Sequence, residues 1–188
     1  MAEVPTDLDI ARCFNSTFAR SENVVLVGGA DAPFYVPAAA PHRSIIRYRE
    51  NFAASALHEV AHWCRAGRVR RLQHDFGYWY LPPPRDQDET HAFLDAEVPA
   101  QALESIFSAA AGLPFRVSLD DLELELSGYC EQFAERVAAR AQRWRSNGLP
   151  GRAGRFEASL RECVFAGWRI TNTSAGAREP KQPTRLRK

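Results

Sequence analysis

The sequence predicts an α+β fold in which a small N-terminal sheet packs with a mainly helical remainder. Three short stretches rich in β-branched or aromatic residues precede residue 50, and each has the length of a strand. Beyond them, apolar residues recur mostly at helical spacing. Strands followed by helices, without regular alternation between the two, are typical of α+β domains.

Size and composition limit the class of protein. The chain has 188 residues, of which 45% are hydrophobic and 25% charged, an ordinary globular balance. We predict one domain at residues 1–170 and a disordered basic tail at 171–188. A formal net charge of +1 argues against direct nucleic-acid binding. No apolar run approaches the roughly 18 residues of a membrane span, so we expect no membrane association, and we expect a monomer.

The four cysteines indicate the compartment. Cys13, Cys64, Cys130 and Cys163 include no C-x-x-C pair, which argues against a thiolate zinc site or a redox motif. The N-terminus has neither the basic region nor the apolar core of a signal peptide. We therefore expect free thiols and a cytoplasmic location.

The N-terminal half is predicted to hold a helix, three strands and a second helix. Asp7–Phe18 places apolar residues at helical spacing, and Val24–Val27 is a buried strand that Gly28–Gly29 ends in a turn. The further elements are strands at Phe34–Pro37 and Ser44–Tyr48, and a helix over Phe52–Ala66 with Asn51 as N-cap and Gly67 as C-cap.

The second half is predicted to be helical after an aromatic segment. Phe76–Tyr80 resembles a strand, and Arg85–Thr90 an exposed loop. A helix over Pro99–Ala111 has proline in its first turn. An acidic segment, Val117–Leu126, follows it. The last predicted elements are helices over Gly128–Trp144 and Phe156–Phe165, with a break at Asn147–Gly148 between them.

The second predicted helix carries a candidate metal site. His58 and His62 are four residues apart, so on a helix both imidazoles lie on one face and can bind one ion. Glu59 is rotated by about 100° from His58. It is poorly aimed for ligation and better placed as a general base or as a partner of the metal-bound ligand. The H-E-x-x-H pattern therefore predicts a metal-dependent enzyme, on what we call a zincin-like metal helix.

A third protein ligand has to come from further along the chain. The extended pattern that ends in a third histidine is absent, because Arg65 and Arg68 stand there. Glu97 is our choice, with Asp95 as the main rival and Asp75 as the third. Asp95 and Glu97 could instead cap the following helix by charge–dipole attraction. The remaining candidates are His74 and His91.

The predicted ligand set leaves two chemistries open. Two histidines and one carboxylate, with vacant positions, suit a non-haem Fe(II) oxygenase. They also suit a zinc hydrolase, such as a peptidase, with Glu59 as general base.

Two neighbouring segments allow both a functional and a structural interpretation. The arginines at 65, 68, 70 and 71 could receive an acidic surface or a phosphate, or could be solvated cations at a helix C-terminus. The aromatics from Phe76 to Tyr80 could line a groove for a macromolecular side chain, although such runs more commonly pack in a core.

These motifs together resemble the elongation factor P hydroxylase family, from about position 8 to 165. The run from Ala54 to Tyr80 is far more specific than H-E-x-x-H alone. The matching segments are Ala54–Cys64, Ala66–Gly67, Arg70–Arg71, Asp75–Tyr80, Asp95, Glu97–Val98, Gln101–Leu103, Ala110–Phe115 and Asn147–Pro150. The sequence departs from the family in the loop Pro83–His91 and in the C-terminal tail.

The resemblance implies a specific reaction. Members of this family hydroxylate the modified lysine of translation elongation factor P after a β-lysyl group has been attached. Carried over, His58 and His62 become metal ligands, Glu97 the carboxylate ligand and Glu59 the acid–base residue. The resemblance implies a monooxygenase-type enzyme that uses molecular oxygen and a divalent metal, which we expect to be Fe(II). Members of the family do not look like the 2-oxoglutarate oxygenases in sequence, so 2-oxoglutarate is not expected as a co-substrate. Acidic residues that could receive the cationic substrate are Asp75, Asp95 and the run Asp120–Glu125.

Overall fold

The computed structural model describes residues 4–77, 85–119 and 129–168, and within them the fold is α+β as predicted. The likeness to zincins and the division into a domain and a tail stay predictions, and residues 169–188 lie outside the described ranges. The elements are α1 (Asp7–Phe18), β1 (Val24–Ala30), β2 (Phe34–Val36), β3 (Ser44–Arg49), α2 (Ala53–Arg65), α3 (Gln87–Ala111), α4 (Tyr129–Asn147) and α5 (Gly151–Phe165), with short 3₁₀ turns at Arg70–Leu72 and His74–Gly77.

The three strands form a small mixed sheet with β3 at its centre. β1 pairs with β3 in parallel and β2 pairs with it antiparallel. Ser44, Ile46 and Tyr48 are the buried residues of β3, as expected for a strand with one face on a core. α1 packs against β1, and α2 packs against β3. The sheet therefore supports the helix that carries the histidine motif.

The sequence predicts that the glycine pair Gly28–Gly29 ends the first strand in a turn. This prediction is wrong. β1 continues to Ala30, with an irregular register between Val27 and Ala30. Gly28 is needed because a Cβ there would stand 2.6 Å from the Tyr48 ring. The Tyr48 hydroxyl in turn donates a 2.7 Å hydrogen bond to the buried Asp7 carboxylate. A close packing contact with a neighbouring strand, rather than a turn, explains the glycine.

Both predicted caps of α2 are wrong. The N-cap is Phe52 rather than Asn51, and the C-cap is Ala66 in an extended conformation rather than a glycine cap at Gly67. The last carbonyls are satisfied from elsewhere in the chain. Arg152 donates to the carbonyls of Trp63, Cys64 and Ala66 at 3.1, 3.0 and 2.7 Å. Tertiary hydrogen bonds therefore replace the local cap that helix ends usually require.

The third helix begins much earlier than predicted. Asp86 and Glu89 form a capping box, so residues 87–90 are its first turn rather than an exposed loop. Pro99 lies inside the helix and costs it the backbone hydrogen bond to the carbonyl of Asp95. Burial of α3 against three other helices, α2, α4 and α5, offsets this loss. Asp95 and Glu97 lie inside the helix, so the alternative that they cap its start is wrong.

The remaining elements follow the sequence with shifted boundaries. α4 ends at Asn147, and Gly148 has a left-handed φ of 88°, which confirms the predicted break. α5 begins at Gly151, ahead of the predicted Phe156. His74–Gly77 forms a 3₁₀ turn in which Asp75 and Phe76 have positive φ, so the predicted strand is wrong at its start. Residues 78–80 and 120–126 lie outside the described ranges.

An aromatic cluster fixes α2 to α1 and α5. Trp63 lies with its ring centroid 5.2 Å from Phe14 and 5.0 Å from Phe18, and Phe156 lies 5.7 Å from Phe14. All four side chains are buried. A second cluster between α3 and α4 contains Leu94, Val98, Ala102, Ile106, Leu119, Phe133, Val137 and Ala141.

The four cysteines are free thiols, as predicted, although the sulfurs of Cys13 and Cys163 lie 2.8 Å apart. Among the described helices, none combines the length and the hydropathy that a bilayer crossing requires.

Arg152→Ala should lower the free energy of unfolding by about 2 kcal/mol, because a charged donor to helix-end carbonyls is lost. The stacking of the guanidinium 4.6 Å from the Trp63 ring is lost as well. Urea unfolding measures the change. Arg161→Ala is the matched control on the same helix, where the arginine is exposed and pairs with Glu157. It should change stability by less than about 0.5 kcal/mol. Equal effects of the two substitutions would contradict the capping role of Arg152.

Candidate metal centre

The histidine motif lies on α2 in the arrangement that the spacing predicts. The Nε2 atoms of His58 and His62 are 3.0 Å apart. Both side chains are half-buried, and their rings meet at 71° with centroids 4.7 Å apart. The i, i+4 spacing places them on one face of the helix. This face is directed at α3.

Glu97 completes a group of three potential ligands from the facing helix. Its Oε1 lies 3.2 Å from Nε2 of His62, and its Oε2 lies 3.7 Å from Nε2 of His58. Among the described residues, these three side chains make up the group of metal-capable ligands that converges on one point. The carboxylate is buried, with 8% of the residue exposed.

The separations within this group fit a bound divalent ion. Protein nitrogen and oxygen ligands lie about 2.1 Å from zinc, so ligands at right-angled or tetrahedral positions stand roughly 3.0–3.4 Å apart. The 3.0 Å between the two Nε2 atoms and the 3.2 Å between Oε1 of Glu97 and Nε2 of His62 fall within this range, and the 3.7 Å from Oε2 to Nε2 of His58 is slightly longer. His58, His62 and Glu97 could therefore hold one metal ion, with further coordination positions left over.

Mutual attraction shifts the pKa values of Glu97 and His58 in opposite directions despite their burial. Burial opposes ionisation of Glu97, yet contact with His62 and His58 lowers its pKa to about 2. Burial also opposes charging of His58, but the Glu104 hydrogen bond and nearby carboxylates raise its pKa to about 10. The carboxylates of Glu97 and Glu104 thus favour a positive charge at His58, which a divalent cation would supply in place of the imidazole proton.

Glu59 differs electrostatically from Glu97. Burial raises its pKa above the usual value, and the attraction of His58 and His62 opposes that rise. The charges of Glu97 and Asp75 raise it further. A carboxyl group with a raised pKa beside a metal site is suited to proton transfer. Its predicted acid–base role is consistent with this environment and stays a prediction.

The other candidate ligands lie elsewhere. Asp95, on the same helix as Glu97, has a 68% exposed side chain and pairs with Arg136. Asp75 accepts a 2.8 Å hydrogen bond from the backbone N–H of Tyr35. Neither these two residues nor His74 and His91 belong to the converging group. The structure therefore brings Glu97 to the histidines, which is the arrangement the sequence analysis preferred.

Two polar residues of the site were missed from the sequence. Glu104 accepts a 2.8 Å hydrogen bond from Nδ1 of His58. Gln101 donates to Oε2 of Glu97 at 3.2 Å. Both are buried. Glu97, Gln101 and Glu104 follow one another at intervals of four and three, so one face of a helix carries all three. That spacing within an apolar helix was the available signal.

The arginine segment after α2 is partly structural. Arg65 donates to the carbonyl of Ala96 at 2.7 Å, and Arg71 donates to that of Ala66 at 2.9 Å. Arg68 and Arg70 are exposed. Phe76, in the following aromatic run, is buried and stacks 4.2 Å from the Tyr35 ring. At least three of these residues therefore support the fold.

Comparison with known proteins places the chain in a family. The family model described as elongation factor P hydroxylase matches residues 13–172. A curated relative from Haemophilus influenzae, named elongation factor P lysine hydroxylase, is 39% identical over 154 residues, which is 81% of this chain and 85% of the relative. Both matches include α2 and α3 with the converging side chains. The chain therefore belongs to the elongation factor P hydroxylase family.

Proposed function

We propose that this protein is a metal-dependent hydroxylase that acts on the β-lysylated lysine of elongation factor P. The observation that carries the proposal is the convergence of His58, His62 and Glu97 in a chain similar to a named elongation factor P lysine hydroxylase. The zinc hydrolase hypothesis gains no comparable support, because the relative is named for hydroxylation. We infer a cytoplasmic enzyme, since its substrate serves translation.

The donor set suits the chemistry of hydroxylation. When bound, a redox-active metal such as Fe(II) would supply the activation of molecular oxygen that an unreactive C–H bond requires. Two imidazoles and one carboxylate make up the ligand set of such sites and would leave positions open. His58 and His62 would hold the metal from α2, and Glu97 would hold it from α3 while offsetting part of its charge. No residue for 2-oxoglutarate is proposed.

The residues around the ligands suit a cationic substrate. Glu59, Glu97 and Glu104 all act on the charge of His58, and Asp75 acts on Glu59. Asp75 is exposed and could meet an incoming ammonium group. An excess of carboxylates favours an amine-bearing lysine derivative over an acidic one. Glu59, with its raised pKa, is the residue we propose to hold or release a proton beside the metal.

Deletion of the gene should remove the added oxygen from elongation factor P. Mass spectrometry of elongation factor P from cells that lack the gene should find the β-lysylated lysine without the added mass of one oxygen atom. Re-expression of the wild-type chain should restore it. Persistence of the oxygen adduct in deleted cells would refute the proposed substrate.

His58→Ala and His62→Ala should abolish metal binding, since each removes one of three protein ligands. Metal content after anaerobic loading with Fe(II) measures this. Glu97→Gln should weaken binding strongly, because the amide is a poorer ligand for a hard cation. Asp95→Asn is the matched control: it changes an exposed carboxylate of the same helix and should retain the metal. Metal loss in the control alone would assign the third ligand to Asp95.

Glu59→Gln should retain metal and lose activity by about 100-fold or more, the usual contribution of general acid–base catalysis. Metal content and single-turnover hydroxylation of β-lysylated elongation factor P separate the two effects. If this variant loses metal as completely as His58→Ala, then Glu59 is a ligand rather than an acid–base residue.

A further inference from the structure

We propose that Glu104 and Gln101 are positioning residues of the metal centre. Glu104 fixes the ring of His58 through its Nδ1, and Gln101 fixes the carboxylate of Glu97 through its Oε2. This inference rests on the metal-dependent function proposed above, and it assigns roles to two residues outside the ligand set.

The contact of Glu104 determines which nitrogen of His58 faces the ligand group. The carboxylate Oε2 lies 2.8 Å from Nδ1, and the residue is only 8% exposed. A carboxylate accepts hydrogen bonds, so Nδ1 carries the proton. Nε2, 3.0 Å from Nε2 of His62, is then the nitrogen that gives up its proton to a metal and offers its lone pair. A carboxylate behind a ligating imidazole orients the ring and makes it a better donor to the metal.

The backbone of Ser118, rather than a metal ligand, sets the orientation of the Gln101 side-chain amide. Its Oε1 accepts from the N–H of Ser118 at 3.0 Å, and its Nε2 donates to the carbonyl of Ser118 at 2.6 Å. This double contact excludes the flipped amide, because a flip would set donor against donor and acceptor against acceptor. The second Nε2 hydrogen is therefore available to Oε2 of Glu97, 3.2 Å away.

The two contacts divide the oxygens of Glu97 between support and ligation. Oε2 is held by Gln101, while Oε1 lies 3.2 Å from Nε2 of His62. Glu97, Gln101 and Glu104 share one face of α3, so a single helix presents one ligand and the supports of two ligands. α3 is buried against α2, α4 and α5. Packing thus fixes the positions from which both supports act.

A merely structural role would predict a different result from a positioning role. Buried Glu104 and Gln101 could satisfy polar groups and stabilise the fold without influence on the metal. Their replacement would then lower the free energy of unfolding and leave the affinity of the folded protein for metal unchanged. Metal affinity and stability must therefore be measured on the same variants.

Glu104→Ala should weaken Zn²⁺ binding to the full-length protein on the order of 10–100-fold, measured by competition with a chromophoric chelator. Glu104→Gln should recover part of this loss, because the amide oxygen still accepts the Nδ1 proton. Gln101→Ala should weaken binding in the same range. Asp95→Asn is the matched control on α3 and should bind Zn²⁺ as the wild type does.

Proton NMR of the zinc-loaded protein supplies a readout that global stability does not move. The wild type should show a protected ring N–H resonance from Nδ1 of His58. Glu104→Ala should lose it through exchange with water, whereas Gln101→Ala should retain it. Thermal unfolding shows whether each variant is folded. If Glu104→Ala does not fold, Glu104→Gln replaces it in both measurements.

The outcomes separate this inference from the proposed function. Wild-type zinc affinity in folded Glu104→Gln, Glu104→Ala and Gln101→Ala would overturn the positioning roles. Absence of zinc binding in the wild type would overturn them together with the metal centre. Weakened binding in these variants, combined with an unchanged oxygen adduct on elongation factor P in deleted cells, would support the positioning roles and refute only the substrate.

Discussion

The structure depends on one contact, in which α2 and α3 bury charged and polar side chains against each other. Imidazoles on α2 meet Glu97 and Glu104 on α3 at 2.8–3.7 Å. A buried carboxylate is tolerated only with opposite charge or hydrogen-bond donors at hand. Each group of this contact therefore holds its partner in place. A divalent cation would satisfy the same constraint at the point where His58, His62 and Glu97 converge.

The rest of the fold holds these two helices in register. The sheet supports α2 from one side, and Trp63 anchors it among Phe14, Phe18 and Phe156. Arg152 reaches from α5 to three carbonyls at the end of α2, which follow His62 by one, two and four residues. α3 is enclosed by other helices and tolerates Pro99 in its interior. Rigid elements, rather than loops, thus carry the ligand atoms, which suits a site that needs fixed ligand separations.

Sequence patterns were most reliable where the determinant is local. The periodicity of Asp7–Phe18, the three strands before residue 50 and the break at Asn147–Gly148 agree with the structure. Two errors arose where a distant contact decides, and one where two local signals compete. Gly28 is set by the Tyr48 ring, and the end of α2 is satisfied by Arg152 rather than by Gly67. The start of α3 was missed because proline is common in a first helical turn, which outweighed the capping box at Asp86 and Glu89.

Spacing and residue type alone were enough to predict the motif helix, the shared face of His58 and His62 and the resemblance to a family. The sequence left Glu97, Asp95 and Asp75 as rival ligands, since no local pattern measures distance between segments. Only the tertiary structure places Glu97 against the histidines and turns Asp95 towards Arg136. It also brings Glu104 and Gln101 to the site. Their function depends on which face of α3 packs against α2, and that is decided by the assembled core.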